Sequence, residues 1–120
     1  MTVWALRGAI SLDEDSPEEI DVQVRRLLGE MLARNDVDHD DIISVWFTAT
    51  GDVCSAFPAA AARAMGLGDV PLLCAREMDV PGGMAQVVRV LMHVHTERPR
   101  AALRHVYLDR ARSLRDDLPE

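Results

Sequence analysis

The amino-acid sequence predicts an α/β (α+β) domain in which helices cover one face of a mixed β-sheet. Short β-branched apolar runs and helix signals follow one another in the order β-α-β-α-β-β-β, which is typical of this class. Apolar residues make up 48% of the 120 residues, enough to build a core. Because this length suits one domain and no linker or repeat divides the chain, residues 1–120 are expected to form a single domain.

The first half of the chain predicts a strand, a helix and a second strand. Residues 2–9 alternate weakly between two faces, with Arg7 on one of them, as a strand does. The segment SPEE at residues 16–19 offers a capping serine, a proline for the first helical position and the glutamate of a capping box. An apolar stripe continues this helix to about Asn35, and the β-rich run at residues 42–49 predicts a central strand.

The second half predicts one more helix and three strands. The helix begins at Pro58, continues through Ala64 and is ended by Gly66. Strands are expected at residues 70–75, 87–95 and 105–108, with a turn at 79–83, a short turn or helical piece at 99–103, and a polar tail at 116–120 within a flexible end at 115–120. The strand at 87–95 is apolar on both faces. The sheet face away from the helices must therefore be buried, and self-association is the simplest way to bury it.

The charge and the hydropathy pattern exclude several classes of protein. A formal net charge of −7 argues against a nucleic-acid binder, which needs a basic face to neutralise phosphates. No apolar run reaches the roughly 18 residues that span a bilayer. The N-terminus shows no secretory signal, so a cytoplasmic location without membrane association is expected.

The sequence lacks the patterns of metal, phosphate-loop or catalytic-triad chemistry. Cys54 and Cys74 are the only cysteines, and free buried thiols are expected of them, with no disulfide framework. His93 and His95 share a strand face, but no third ligand stands nearby. We therefore expect no bound metal and no organic cofactor.

All thirteen basic residues are arginine, and three of them stand in apolar surroundings. Arginine holds a carboxylate through two parallel hydrogen bonds, so such placement suits an anion site. Alone, Arg7 is more typical of an edge strand or interface, Arg63 of a solvent-facing helix, and Glu77 of an ordinary turn. Tyr107 alone could be a core residue. Arg89 is different, because a charge midway along a two-sided apolar strand must be paired or face a wet cavity.

Six short segments, taken in order and spacing, resemble one known family. They are RGA at 7–9, FPA at 57–59 followed by Arg63, CAREMDVPGG at 74–83, RVLMHVHT at 89–96, RHVYL at 104–108, and LR at 114–115. Together they resemble the monofunctional chorismate mutases of the trimeric α/β class, which are distinct from the all-helical class. The resemblance extends from Arg7 to Leu118, almost the whole chain.

This resemblance implies a homotrimer with a pseudo-α/β-barrel core and three active sites between subunits. The implied reaction is the [3,3] rearrangement of chorismate to prephenate in aromatic amino-acid (Phe/Tyr) biosynthesis, without metal or cofactor. One subunit would contribute Arg7, Cys74, Glu77, Arg89 and Tyr107; its neighbour would lend Phe57, Ala59 and Arg63; and Leu114 and Arg115 would help to close the pocket. Ala60 departs from the pattern, because relatives often carry a basic residue there.

The reaction type suggests a role for each implied residue. Negative charge gathers on the ether oxygen as its bond breaks, and Arg89 is expected to stabilise that charge. Arg7 and the Tyr107 hydroxyl would grip a carboxylate, Arg63 and Arg115 would add positive field, Glu77 with Cys74 would hold the ring hydroxyl, and Phe57 and Leu114 would form apolar walls. Catalysis would otherwise consist of holding a compact, chair-like conformer.

Three alternatives stay open at the level of sequence. The main one is a non-catalytic trimer of the same fold that binds a small anion. It would need a carboxylate grip but has no use for a cation beside an ether oxygen. A trimeric imine or enamine deaminase could also place an interface arginine on a carboxylate. A purely structural trimer would leave the arginines unexplained.

Overall fold

The computed structural model describes residues 1–115, and the predicted polar tail at 116–120 lies outside them. Its described elements are β1 (Thr2–Ser11), α1 (Pro17–Asn35), β2 (Ile42–Ala49), α2 (Pro58–Ala62), β3 (Leu72–Arg76), β4 (Val87–Thr96) and β5 (Val106–Leu108). Short 3₁₀ turns occupy His39–Asp41, Arg100–Ala102 and Asp109–Leu114. Every strand and helix that the sequence predicts is therefore present, with ends shifted by a few residues.

The five strands form one mixed sheet in the order β3-β2-β4-β1-β5. Strand β4 is antiparallel to both of its neighbours, β1 and β2, whereas β2–β3 and β1–β5 are parallel pairs. Helices α1 and α2 pack against each other and contact the sheet, and the main core cluster lies between these two layers. The predicted mixed sheet with helices on one face is confirmed.

Helix α1 begins and ends where the sequence predicts. The Glu19 N–H donates to Ser16 Oγ at 3.1 Å, and Pro17 occupies the first turn, where a missing N–H costs nothing. The Glu19 carboxylate accepts from the Asp13 N–H at 2.8 Å instead of the Ser16 N–H, so the predicted capping box is only half formed and Glu19 ties the helix start to the segment after β1. The C-terminal cap is Asp36, at φ +53° in the left-handed region.

The second helix is shorter than expected. Helix α2 ends at Ala62, and the chain continues as one wide, π-type turn over Arg63–Leu67. Gly66 has φ +94°, which only glycine adopts without strain, so it ends the helical path as predicted. Strand β3 begins at Leu72, two residues later than predicted, because Pro71 has no N–H to contribute to a ladder.

The sheet face away from the helices is the open face, and it carries large apolar side chains. Leu91 of β4 lies opposite Trp46 of β2, which in turn lies opposite Leu73 of β3. Trp46 is 47% and Leu73 50% exposed in the single chain. Val3 of β1 is 49% exposed on the same face.

Among residues 1–115, no helix is long and apolar enough to cross a membrane.

Candidate active site

A cavity of about 380 Å³ lies on the open face, over the middle of the sheet. Six polar or charged residues line it: Arg7, Thr48, Glu77, Arg89, Tyr107 and Arg115. Strand register explains how most of them meet. Arg89 of β4 lies opposite Ala9 and Thr48, and Ala9 lies opposite Tyr107, so these side chains form one row across the sheet.

Glu77 is held in place from three directions. It directly follows β3, and its backbone N–H donates to the Ala49 carbonyl at 2.9 Å. Its carboxylate accepts from the Thr48 hydroxyl at 3.2 Å and from the Met78 N–H at 2.9 Å. The side chain is 29% exposed, so one face of this fixed carboxylate can still meet a ligand. Thr48 is a site residue that the sequence analysis did not single out, because only the strand register shows that it lies opposite Arg89.

Arg89 forms an ion pair with Glu77, with 3.2 Å between Nε and Oε2. The geometry is not that of an aligned hydrogen bond: Nε is buried, and no described residue accepts a hydrogen bond from it. The side chain as a whole is 41% exposed, so the guanidinium borders both the sheet and the cavity. Arg89 is therefore paired and also borders a solvent-accessible cavity, either of which would have met the requirement of a charge on its apolar strand.

Tyr107 and Leu114 belong to a small cluster on the open face. Tyr107 is 7% exposed and packs with Ala9, Val87 and Ala111, while Leu114 packs against this group from outside. The ring thus has a fixed position at the cavity wall. Leu114 supports Tyr107, and it precedes Arg115, which lines the cavity.

His105 stands beside two of the cavity arginines and was not singled out from the sequence. Its Nδ1 accepts a hydrogen bond from the Arg7 backbone N–H at 2.9 Å. Partial burial lowers the pKa of the imidazole, and the positive charges of Arg7 and Arg115 lower it further. The sequence carried one weak signal, since His105 lies within the RHVYL segment.

Within one chain, five of the ten implied site residues do not line this cavity. Leu114 is one of them, although it packs near Tyr107, and the other four lie farther away. Phe57 and Cys74 line a second cleft of about 530 Å³, because Cys74 lies opposite Phe47 and shares the helix-facing side of the sheet with it. The resemblance implied that Cys74 and Glu77 of one subunit share a pocket. Within one chain they do not, because Cys74 lines the second cleft and Glu77 lines the first cavity. Ala59 is buried at 6% exposure, and Arg63 is exposed on the turn after α2.

Cys54 departs from the expectation of two buried thiols. It is exposed, and its thiol donates to the Asp15 carboxylate at 3.2 Å. The same carboxylate accepts from the Ser55 hydroxyl at 2.7 Å. These contacts hold the loop after β2 against the segment before α1, because a carboxylate can accept several hydrogen bonds at once. The hydrogen bond to Asp15 raises the pKa of the Cys54 thiol.

Comparison with known proteins identifies the family. A family model described as chorismate mutase type I matches residues 3–118. The chorismate mutase AroH of Thermus thermophilus is 48% identical over 117 residues, which cover 97% of this chain and 96% of that protein. The chain belongs to the chorismate mutase type I family.

Other members of this family agree over the same length. The chorismate mutase AroH of Bacillus subtilis is 38% identical over 119 residues, covering 98% of this chain and 94% of that protein. A solved chorismate mutase from Clostridium thermocellum matches with a TM-score of 0.90 at 44% identity, covering 92% of this chain and 98% of that one. The expected fold class and enzyme class are confirmed: this chain is a chorismate mutase, an isomerase.

Proposed function

We propose that the cavity on the open face is the part of the active site contributed by one subunit, and that chorismate rearranges to prephenate there. The observation that carries this is the charge pattern of the cavity, whose lining includes Arg7, Arg89 and Arg115 but the single carboxylate of Glu77. The formal excess of two positive charges complements a dicarboxylate substrate. In a protein of net charge −7, such local clustering is what draws a dianion to one place.

Arg89 is the residue that we assign to the chemical step. In the rearrangement, the ether C–O bond breaks while a C–C bond forms, and no proton needs to move. Negative charge grows on the ether oxygen, so a cation fixed beside it stabilises the transition state more than the bound substrate. The ion pair with Glu77 supports this role, because it holds the guanidinium at the edge of the cavity before substrate arrives.

The other cavity residues select the reactive conformer. We assign Arg7 and the Tyr107 hydroxyl to one substrate carboxylate, with Arg115 adding positive field. Glu77 would accept a hydrogen bond from the ring hydroxyl, for which its anchoring by Thr48 prepares it. Holding both ends of the substrate brings the two carbon atoms that bond into near contact, and this is a recognised source of rate enhancement.

A neighbouring subunit would complete the site. The support is twofold: the apolar open face is exposed in the single chain, and the cleft beside Phe57 also faces solvent, with Phe57 itself 71% exposed. We propose that Phe57, Ala59, Arg63 and Cys74 approach the Arg89 cavity from the next subunit of a homotrimer. Cys74 then meets Glu77 across the interface instead of within one chain. The cytoplasmic location and the freedom from cofactors stay predictions from sequence.

The test is the loss of chorismate absorbance on addition of purified protein, with prephenate identified as the product. A bicyclic transition-state analogue should block turnover, because an active site binds such an analogue more tightly than the substrate. A folded trimer without turnover would contradict the proposal and favour the small-anion binding module, which family membership otherwise disfavours. Release of ammonia from an imine substrate would point to the deaminase.

A further inference from the structure

His105 supplies a hydrogen-bond acceptor where the sheet cannot. Strand β5 begins at Val106, which lies opposite Gly8 of β1, so the preceding β1 residue, Arg7, lies just beyond the β1–β5 ladder. The Arg7 N–H donates to His105 Nδ1 at 2.9 Å. Because a backbone N–H can only donate, Nδ1 must be unprotonated and the ring proton must sit on Nε2.

The backbone just before His105 is clamped by the end of α1. Asn35 is 1% exposed, and its side-chain oxygen accepts from the Arg104 N–H at 2.7 Å. Its side-chain nitrogen donates to the Arg104 carbonyl and to the Met31 carbonyl, both at 2.8 Å. A buried amide with three contacts of this kind is rigid. The position of His105 is therefore set by the helix layer, not only by its own loop.

Partial burial and then the surrounding charges favour the neutral imidazole. Arg7 of β1 and Arg115 of the segment after β5 are the described charged groups that act on the ring, and both disfavour a proton there. Asn35, which packs from α1, is uncharged. Partial burial acts in the same direction, so the pKa of His105 lies below its ordinary value. The acceptor is thus available at neutral pH.

We propose that His105 is a positioning residue for the rearrangement: its Nδ1 fixes the Arg7 backbone, and so aims the Arg7 guanidinium at a substrate carboxylate. The inference rests on the proposed function of the cavity, and it adds a residue that acts through Arg7 without touching substrate itself. Without this acceptor, the Arg7 N–H would lose its partner at the edge of β1. The strand could then shift, and a small shift at a carboxylate grip weakens substrate binding.

Kinetics of three variants with chorismate test this role. His105→Ala removes the acceptor, and we expect KM to rise about tenfold while kcat changes less than about threefold, because the grip acts mainly on binding. His105→Asn should restore KM to within about threefold, since its side-chain oxygen occupies the place of Nδ1. His39→Ala is the control, because His39 is paired with Asp69 on the surface. It should behave as wild type.

A spectroscopic readout separates the contact from general damage to the fold. Nitrogen NMR of the ¹⁵N-labelled wild type should show His105 as the neutral tautomer with the proton on Nε2. A proton on Nδ1, an unchanged KM in active His105→Ala, or a failure of His105→Asn to rescue would each overturn the proposal. A wild type that does not turn chorismate over would overturn the proposed function as well. That result differs from an active enzyme indifferent to His105.

Discussion

Glu77 and Arg89 show at the scale of single residues how the site is prepared. Both are charged, yet each is matched before substrate binds: Glu77 accepts from Thr48 and Met78, and Arg89 is 3.2 Å from Glu77. Such groups need little rearrangement during reaction, and this preorganisation is what makes electrostatic catalysis effective. One polar atom of the pair stays incompletely satisfied. Arg89 Nε is buried, and no described residue accepts a hydrogen bond from it.

Replacing Arg89 should affect the reaction far more than the fold. We expect Arg89→Ala to lower kcat/KM roughly 100-fold or more, because losing a strong oxyanion-type donor raises the activation free energy by about 3 kcal/mol. Arg89→Lys should also fail substantially, because a flexible ammonium does not reproduce a guanidinium fork. Steady-state chorismate kinetics measure both.

Arg25→Ala is the matched control for this experiment. Its side chain is 42% exposed, against 41% for Arg89, and it is also paired with a carboxylate, that of Asp21. An exposed pair of this kind contributes little to stability. Near-normal activity of Arg89→Ala in a well-folded protein would show that the assigned mechanism is wrong.

The lowered pKa of His105 predicts a stability change on the acid side. The unfolded chain binds a proton near the ordinary pKa of 6.5, whereas the folded state binds it only at lower pH. The free energy of unfolding should therefore be unaffected by this group above pH 6.5, and should fall as pH drops from 6.5 towards the folded pKa. Urea unfolding at pH 7.5 and 5.5 measures the effect. His105→Asn should show a smaller loss between these two values, and an equal loss in both proteins would contradict the assignment.

At the scale of elements, the contact between α1 and β1 sets the shape of the helix-covered side. Gly8 lies beneath the helix: a Cβ placed there would come within 2.6 Å of Met31 Sδ and 3.2 Å of the Val106 carbonyl oxygen. Glycine is needed here because α1 and β5 both come close to the Gly8 backbone. The φ angle is not the reason, since it is not positive at this position. The same strand carries Arg7 on the opposite face, so helix packing and site geometry share one element.

Gly8→Ala should destabilise the protein by about 1–3 kcal/mol, the usual cost of inserting a methyl group into a packed core. The control is Gly29→Ala in α1, where an added Cβ meets nothing within 4 Å. That variant should be neutral, or more stable by up to about 1 kcal/mol, because alanine favours helix. Denaturant unfolding of the two variants measures the contrast. Equal stability would mean that Met31 and the chain around Val106 adjust without cost.

At the scale of the whole molecule, the two faces of the sheet have unequal cover. The helix side is closed by a continuous core, whereas the open face shows Val3, Trp46 and Leu73 at about half exposure. Apolar side chains of this size on neighbouring strands are typical of a surface that another protein covers. The proposed homotrimer accounts for them and for the separation of the two clefts.

Leu73→Asp should weaken that assembly. A carboxylate buried against apolar side chains costs several kcal/mol, so we expect sedimentation to show smaller species together with a loss of chorismate turnover. Val22→Asp is the control: Val22 is 56% exposed on α1, comparable to 50% for Leu73, but lies on the helix layer. A wild type that sediments as an active monomer would contradict the shared-site proposal.

Local order was predictable from the sequence because its causes are local. The SPEE cap, the apolar stripe of α1 and the alternation of β4 each depend on residues near in the chain, and each was found where it was expected. Arg89 was also predictable, since an isolated charge on a two-sided apolar strand demands a partner whatever the fold. The family resemblance added the reaction, which the comparisons confirm.

Contacts between residues far apart in the chain became visible only in the folded structure. Arg7 and His105 are 98 residues apart, and Asn35 and Arg104 are 69 apart, so no spacing rule could have joined them. Strand alternation turned Cys74 towards the helices while Glu77, three residues later, reached the open face. The elements, the need of Arg89 for a partner or for solvent, and the family membership could all be read from the sequence. Pairing order and register in the sheet decided the site, because they convert distant positions in the chain into neighbours in space.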